Sequence, residues 1–385
     1  MSSGPPLDRA HFPVTDRWAY LNHAGITALP APALEAQFRC ARDLSVDGGL
    51  AYAGHAERAE EVRSAAAAVM GVPADDVAFV KNTTEGLGFV ANGLTWQEGD
   101  RVVVPDLEFP STIYPWLALR DRGVVVDLVS PVGAGRCLPV EAFAETIASG
   151  SPPKVVATSW VQFGRGWRTD LASLASVCHE AGALLCADVI QGLGVVPAEL
   201  EAWGVDFAMA DAHKWLLGPL GIGMLYVRRS CLEELRPLEP GWASVVHREQ
   251  WDNLDLVWDD SARRFEGGSP NMVGIHGMGA SLDLLLNAGM EEVWTHVSAL
   301  TDRACEGLAS AGATVTCDRS PKGRSGIVTF TVAEQDPVTV TAALESRGVV
   351  CSPRGGGVRL SPHGYNTYEE VDRLVSTVAE LTGAA

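Results

Sequence analysis

Lysine is scarce in this chain, occurring only at positions 81, 154, 214 and 322, so arginine carries most of the positive charge. Basic residues as a group are outnumbered, with 29 Lys and Arg against 48 Asp and Glu and a net charge of −19. That balance excludes nucleic acid or an anionic membrane as the main partner. No apolar run approaches the roughly 20 residues that span a bilayer. The opening MSSGPPLDRAHFP lacks the charged start and apolar stretch of a signal peptide. Eight cysteines, at 40, 137, 178, 186, 231, 305, 317 and 351, include no CxxC pair and no metal-ligand spacing. The expectation is therefore reduced, mostly buried thiols in a cytoplasmic protein, and no bound metal. Internal repeats, low-complexity tracts and long linkers are missing as well.

What the chain does have is alternation. Short apolar runs at 77–80, 101–105, 124–129, 155–160, 183–188, 207–210 and 222–227 read as strands. Helical patterns at 111–120, 140–148 and 171–180 fall between them. Strand and helix alternating at this spacing predict an α/β fold with a mostly parallel seven-stranded sheet, covered on both faces. After Pro270 the texture changes to one long helical stretch, about 274–309, followed by short apolar segments and a closing helix at 368–381. This predicts a large domain over 16–270 and a smaller α+β domain over 271–385, with residues 1–15 packing on the latter.

Chemistry gathers at three strand ends, where open α/β sheets bind ligands. Asn82-Thr83-Thr84-Glu85-Gly86 follows the first strand and opens a helix. Free amides, hydroxyls and the positive end of the helix dipole suit a phosphate there, although the same residues make an ordinary N-cap. Asp188 ends a run that should be buried, where a carboxylate needs a cationic partner unless it merely caps the strand. Lys214, in ADAHKWLLGP, stands in an apolar segment. A desolvated lysine has a lowered pKa and becomes an amine nucleophile, whereas a packing lysine only buries its stem. Together, a phosphate cradle, a strand-end acid and a desolvated lysine are what pyridoxal phosphate requires.

On these residues the chain resembles the class V aminotransferases, pyridoxal phosphate enzymes of fold type I that include cysteine desulfurases, cysteine/cystine C–S lyases and isopenicillin N epimerases. The resemblance runs from Tyr20-Leu21-Asn22-His23-Ala24 to Tyr365-Asn366-Thr367, and His213-Lys214 with Gly218-Pro219 and Gly221-Ile222-Gly223 is its most specific motif. It implies that Lys214 holds the cofactor covalently and moves the proton. It implies that Asp188 pairs with the pyridine nitrogen and Gln191 with the ring's phenolic oxygen. Thr83 and Thr84 hold the phosphate, helped by His213. Ser269 reaches the phosphate across a homodimer interface, and Arg359 clamps the substrate carboxylate. Asn22, His23, Gln162, Arg165 and Gly241-Trp242 line the substrate pocket by position.

Two departures from the desulfurase pattern narrow the activity. Phe109, in Leu107-Glu108-Phe109-Pro110-Ser111, stands where desulfurases stack a histidine on the cofactor; it stacks but carries no proton. Cys351 sits at the end of an apolar strand, before a short glycine turn, rather than on a long loop. A β-eliminating C–S lyase acting on an S-substituted cysteine is therefore expected. Aminotransferase and isopenicillin N epimerase-like activities are the alternatives, and a non-catalytic protein on the same fold is a further one. Epimerisation needs a second acid opposite Lys214, for which His23 or a tyrosine is a candidate. Asp211, close to the expected phosphate, would either turn away or pair with His213 or an arginine.

Overall fold

The computed structural model describes residues 4–133 and 137–383. It begins with strand β1 (Ala19–Tyr20) and helices α1 (Ala31–Asp47) and α2 (Tyr52–Met70). The next elements are β2 (Val77–Val80), α3 (Thr83–Gly93), β3 (Arg101–Pro105), α4 (Pro110–Leu117), β4 (Val125–Val129) and α5 (Val140–Ala148). Then come β5 (Val155–Ser159), α6 (Leu171–Glu180), β6 (Leu184–Asp188), β7 (Phe207–Asp211) and β8 (Gly223–Val227). The last part holds α7 (Met272–Ala288), α8 (Met290–Ser310), β9 (Thr314–Val315), β10 (Val328–Thr331), α9 (Pro337–Ser346), β11 (Val349–Val350), β12 (Ser352–Arg354), β13 (Gly357–Leu360) and α10 (Tyr368–Thr382).

All seven strands predicted for the large sheet form, in the order β2-β8-β7-β6-β5-β3-β4. Only β8 runs against its neighbours; every other pairing is parallel. Apolar residues on both faces of each strand explain why the sheet is covered twice. In β7, Phe207 and Met209 enter one core with Leu87, Val90 and Trp116, while Ala208 and Ala210 enter the other with Leu174, Ile275 and Leu282. Burying a side chain of the Leu or Met class stabilises by about 1.5–3 kcal/mol, so this sheet is the main mechanical support of the site.

The C-terminal part carries a four-stranded sheet, β12-β13-β10-β9, with a third core of its own. Strand β1 leaves the N-terminal part of the chain and pairs in parallel with β11, Ala19 opposite Val349. Leu7 donates its N–H to the Gly364 carbonyl and Arg9 bonds both the Tyr365 carbonyl and Glu370. Residues 1–3 and 384–385, which the expected domain spans include, lie outside the described residues.

The long helix expected over 274–309 is two helices. Gly289 divides α7 from α8 with a φ of 82°, a left-handed conformation that glycine adopts without steric cost. Among the described residues no helix is long and apolar enough to cross a membrane.

Candidate active site

A cavity of about 510 Å³ opens where the large sheet meets the C-terminal part, and Asn22, Thr83, Thr84, Phe109, Asp188, Gln191, His213, Lys214 and Arg359 all line it. Residues far apart in sequence thus converge at the carboxyl ends of β6 and β7, where the switch rule for open sheets puts a ligand.

Lys214 owes its position to a tight turn. Gly218 N–H bonds the Ala212 carbonyl, and Leu217 adopts φ 59° to close the loop. That conformation costs a non-glycine residue about 1–3 kcal/mol, which the packed surroundings must offset. A Cβ at Gly218 would lie 2.6 Å from that of Ala212. Trp215, fully buried, anchors the next position through its indole N–H to the Gln191 Oε1, 3.0 Å away. Burial holds the Lys214 amine below its ordinary pKa, with Arg359 adding to the fall and Asp188 opposing it. The amine lies 5.6 Å from the centre of the Phe109 ring. An enclosed amine whose pKa is lowered by burial, beside an aromatic face, is suited to attack on a carbonyl carbon.

Asp188 is 4% exposed at the end of β6. It accepts from the Ile190 N–H at 3.0 Å and from the Thr112 hydroxyl at 2.9 Å. Burial raises its pKa, while these two donors and Lys214 favour the anion. Gln191 gives Nε2 to the Ala24 carbonyl and keeps a second N–H.

The phosphate cradle differs from the expected one. Thr83 is committed to Asp211, which accepts from both its backbone N–H and its hydroxyl and returns its own N–H to that hydroxyl. Asp211 neither turns away nor meets an arginine. It binds the first turn of α3, with an oxygen 3.1 Å from His213 Nδ1. A phosphate is left with the Thr84 hydroxyl, which bonds Ser111 Oγ at 2.9 Å, and with His213. Thr83 therefore positions the acid rather than presenting its hydroxyl to the cavity.

Arg359, on β13, is 3% exposed, and no carboxylate of the described residues pairs with it. One Nη donates to the Phe163 carbonyl at 2.6 Å, and Nε has no partner. Burial, with Arg354 nearby, brings its pKa down to about 10. Asn22 Oδ1 is likewise buried without a hydrogen bond. A guanidinium with no carboxylate partner, an imidazole held by Asp211 and a desolvated amine around one cavity fit an anionic, carbonyl-bearing ligand, and they fit pyridoxal phosphate with an amino acid.

Several positional assignments are corrected. His23 is fully buried, with Nδ1 2.9 Å from the Ser361 carbonyl and Nε2 2.8 Å from the Tyr365 hydroxyl. It braces β1 against the C-terminal part and does not reach the cavity, so it is no second acid. Gln162 is spent on the Leu107 carbonyl and on the Gly164 and Arg165 amides. Trp242 lines a different cavity, of about 890 Å³, with Arg63 and Glu266; Ser269, expected to serve a partner subunit rather than its own chain, lies there too.

Sequence reading missed three residues. Thr112 and Ser111 open α4, whose first turn lies across the strand ends. Glu108 is fully enclosed, binds the Ser159 N–H at 2.7 Å and hydroxyl, and has its carboxyl raised by burial to about 7. It ties the loop carrying Phe109 to β5. The only sequence signal was a charge next to Phe109 in an otherwise apolar stretch.

Comparison with known proteins places this geometry. The aminotransferase class-V family profile matches residues 19–374. A probable cysteine desulfurase of Methanothermobacter thermautotrophicus is 30% identical, with 97% of each chain covered. Among solved structures, the cystine C–S lyase C-DES in complex with its reaction product cysteine persulfide superposes with a TM-score of 0.87. It is 25% identical, over 96% of this chain and 99% of that one. The cysteine desulfurase of Thermococcus onnurineus NA1 shares the fold at a TM-score of 0.87, with 24% identity and complete coverage of both chains.

Proposed function

Because this chain belongs to the class-V aminotransferase family and is a pyridoxal phosphate-dependent enzyme, we propose that it is a β-eliminating C–S lyase acting on an S-substituted cysteine. One observation carries the choice of lyase over desulfurase. Cys351 is enclosed between β11 and β12, and burial pushes its thiol up to about 12 despite the nearby Arg359. So raised, the thiol is scarcely ionised at neutral pH, and the thiolate is the nucleophile a persulfide carrier needs. Gly355 and Gly356 join β12 to β13 directly, which leaves no loop to carry the sulfur across the cavity.

Bound in the cavity, the cofactor supplies an electron sink for the pair released when a Cα proton leaves. Asp188 keeps a proton on the ring nitrogen, and Thr112 and Ile190 fix its carboxylate for that task. Arg359 holds the substrate carboxylate through its two-pronged donor set. Lys214 Nζ, whose pKa burial lowers, is the group placed to take the Cα proton. The Cβ–S bond breaks with its electron pair on sulfur, which leaves protonated as a thiol or persulfide. The remaining three-carbon fragment takes up water and gives pyruvate and ammonia. Phe109, whose ring lies 5.6 Å from the Lys214 amine, would pack on a bound cofactor and has no proton to offer. Tyr20, the tyrosine among the described residues that line the cavity, is bonded to the Ile26 carbonyl. Epimerisation, which needs a second acid opposite Lys214, draws no support from these residues.

A homodimer with Ser269 serving the partner's phosphate belongs to the same reading, since Ser269 is exposed and lies outside its own chain's Lys214 cavity. A cytoplasmic location is in keeping with cysteines that are free.

The test is incubation with S-substituted cysteines, scoring pyruvate, keto acid, D-isomer and protein-bound sulfur separately. Pyruvate with thiol in solution is expected, and Cys351→Ala should keep most of the turnover. A persulfide on Cys351 together with an inactive Ala variant would restore the desulfurase. Arg359→Lys should not rescue carboxylate binding, because a point charge lacks paired donors. KM should rise by roughly tenfold or more, in line with a lost charge-assisted bond. Equal rates on an amino acid and its decarboxylated analogue would remove Arg359 from this role.

A further inference from the structure

Away from the catalytic cavity, three helices bring together residues that have no metal-ligand spacing in sequence. Cys40 on α1, His55 on α2 and His276 on α7 place one ligand atom each within 4.8 Å of the others. The closeness is built in by glycines in the stretch GIHGMGA. A Cβ at Gly277 would lie 2.7 Å from Gln37 on α1, and one at Gly279 would lie 2.3 Å from Val62 on α2. Only with glycine at these positions does α7 approach both helices closely enough for His276 to reach the other two.

The imidazoles are arranged for more than packing. His55 Nδ1 and His276 Nε2 are 3.2 Å apart, with the rings nearly perpendicular at 78°. Two nitrogens on a tetrahedral zinc ion, each at about 2.0–2.1 Å, are about 3.3 Å apart. The second nitrogen of His55, Nε2, is buried without any partner. Asp43, one turn from Cys40, lines the same cavity of about 820 Å³, as do Glu35 and Asp283. Of the two arginines nearby, Arg58 is already paired with Glu61 and Asp283.

We propose that Cys40, His55 and His276 bind one divalent cation of the zinc class, which staples α1 and α2 to α7. One thiolate and two imidazoles are a borderline-soft donor set suited to zinc rather than to calcium or magnesium. The fourth position opens on the cavity, within reach of Asp43 or a water. Binding displaces the thiol proton of Cys40 to solvent.

The experiment uses tag-free holoenzyme, equilibrated with zinc chloride alone, freed of excess metal and assayed for zinc by mass spectrometry. One zinc per chain is expected in the unaltered protein, and its loss in Cys40→Ser and in His276→Gln. Zinc should raise the melting temperature of the unaltered protein only, and turnover should be the same in all three. Cobalt in place of zinc should give visible bands of a four-coordinate ion with a thiolate ligand. No retained zinc, or full zinc in both variants, would overturn the site. If Cys40→Ser fails to fold, His276→Gln decides alone.

Discussion

Lys214→Ala should lower turnover by roughly 10³-fold or more, the range that a positioned proton-transfer group supplies. The same change should abolish the lasting attachment of the cofactor. Borohydride reduction of the unaltered, yellow protein should leave the cofactor's mass on the peptide containing Lys214, and on none in the variant. Lys214→Arg should not rescue. Its guanidinium stays protonated at any working pH and cannot take the Cα proton. The turn from Ala212 to Gly218 is held by backbone bonds that the substitution leaves in place, so the variant should fold. A reduced adduct that persists elsewhere in Lys214→Ala would sink this assignment.

The second large effect is at Asp188. Among the described residues, Asp188→Ala removes one of the two carboxylates that line the cavity, the other being Asp211, which is bound to Thr83. Turnover should fall by roughly 10²-fold or more, the scale of other preorganised electrostatic contributions. Cofactor attachment through Lys214 should survive. Thr112→Val, which strips one donor from Asp188, should give a smaller loss in the same direction. It should raise the acidic limb of the pH profile as well, because the anion loses a hydrogen bond that favours it. Near-normal turnover in Asp188→Ala would mean that another group protonates the ring.

Lys214 and Asp188 stood out in the sequence because each is a charge set at the edge of an apolar run, whereas Arg359 was named only through the family resemblance. Burying a charge without a ligand or partner is too costly to be incidental. The seven strands were legible for a related reason, since they are short, mostly Val- and Ala-rich runs whose few polar residues fall mainly at their ends. Helices α1 and α2 were not. Much of the buried face of α2 is alanine, Ala59, Ala66 and Ala67, with Arg63 buried among them. Helical periodicity therefore has little hydrophobic contrast to show. The roles of Thr112 and Ser111 depend on α4 crossing the strand ends, which no local pattern encodes. His23 was misplaced for a non-local reason too. Its partners, Ser361 and Tyr365, come from the far end of the chain.

The pairing of β1 with β11 has a consequence for how the enzyme is made. Ala19 finds its strand partner at Val349, and Asn22 its bridge at Ser361. During synthesis the large sheet can close once β8 has left the ribosome, but the segment carrying Tyr20 and Asn22 must wait until nearly the whole chain has emerged. Contacts so distant in sequence form slowly and leave an unpaired edge exposed meanwhile. The cofactor cavity is thus completed last, and an apoprotein truncated before residue 349 should hold a folded sheet and an unfinished site.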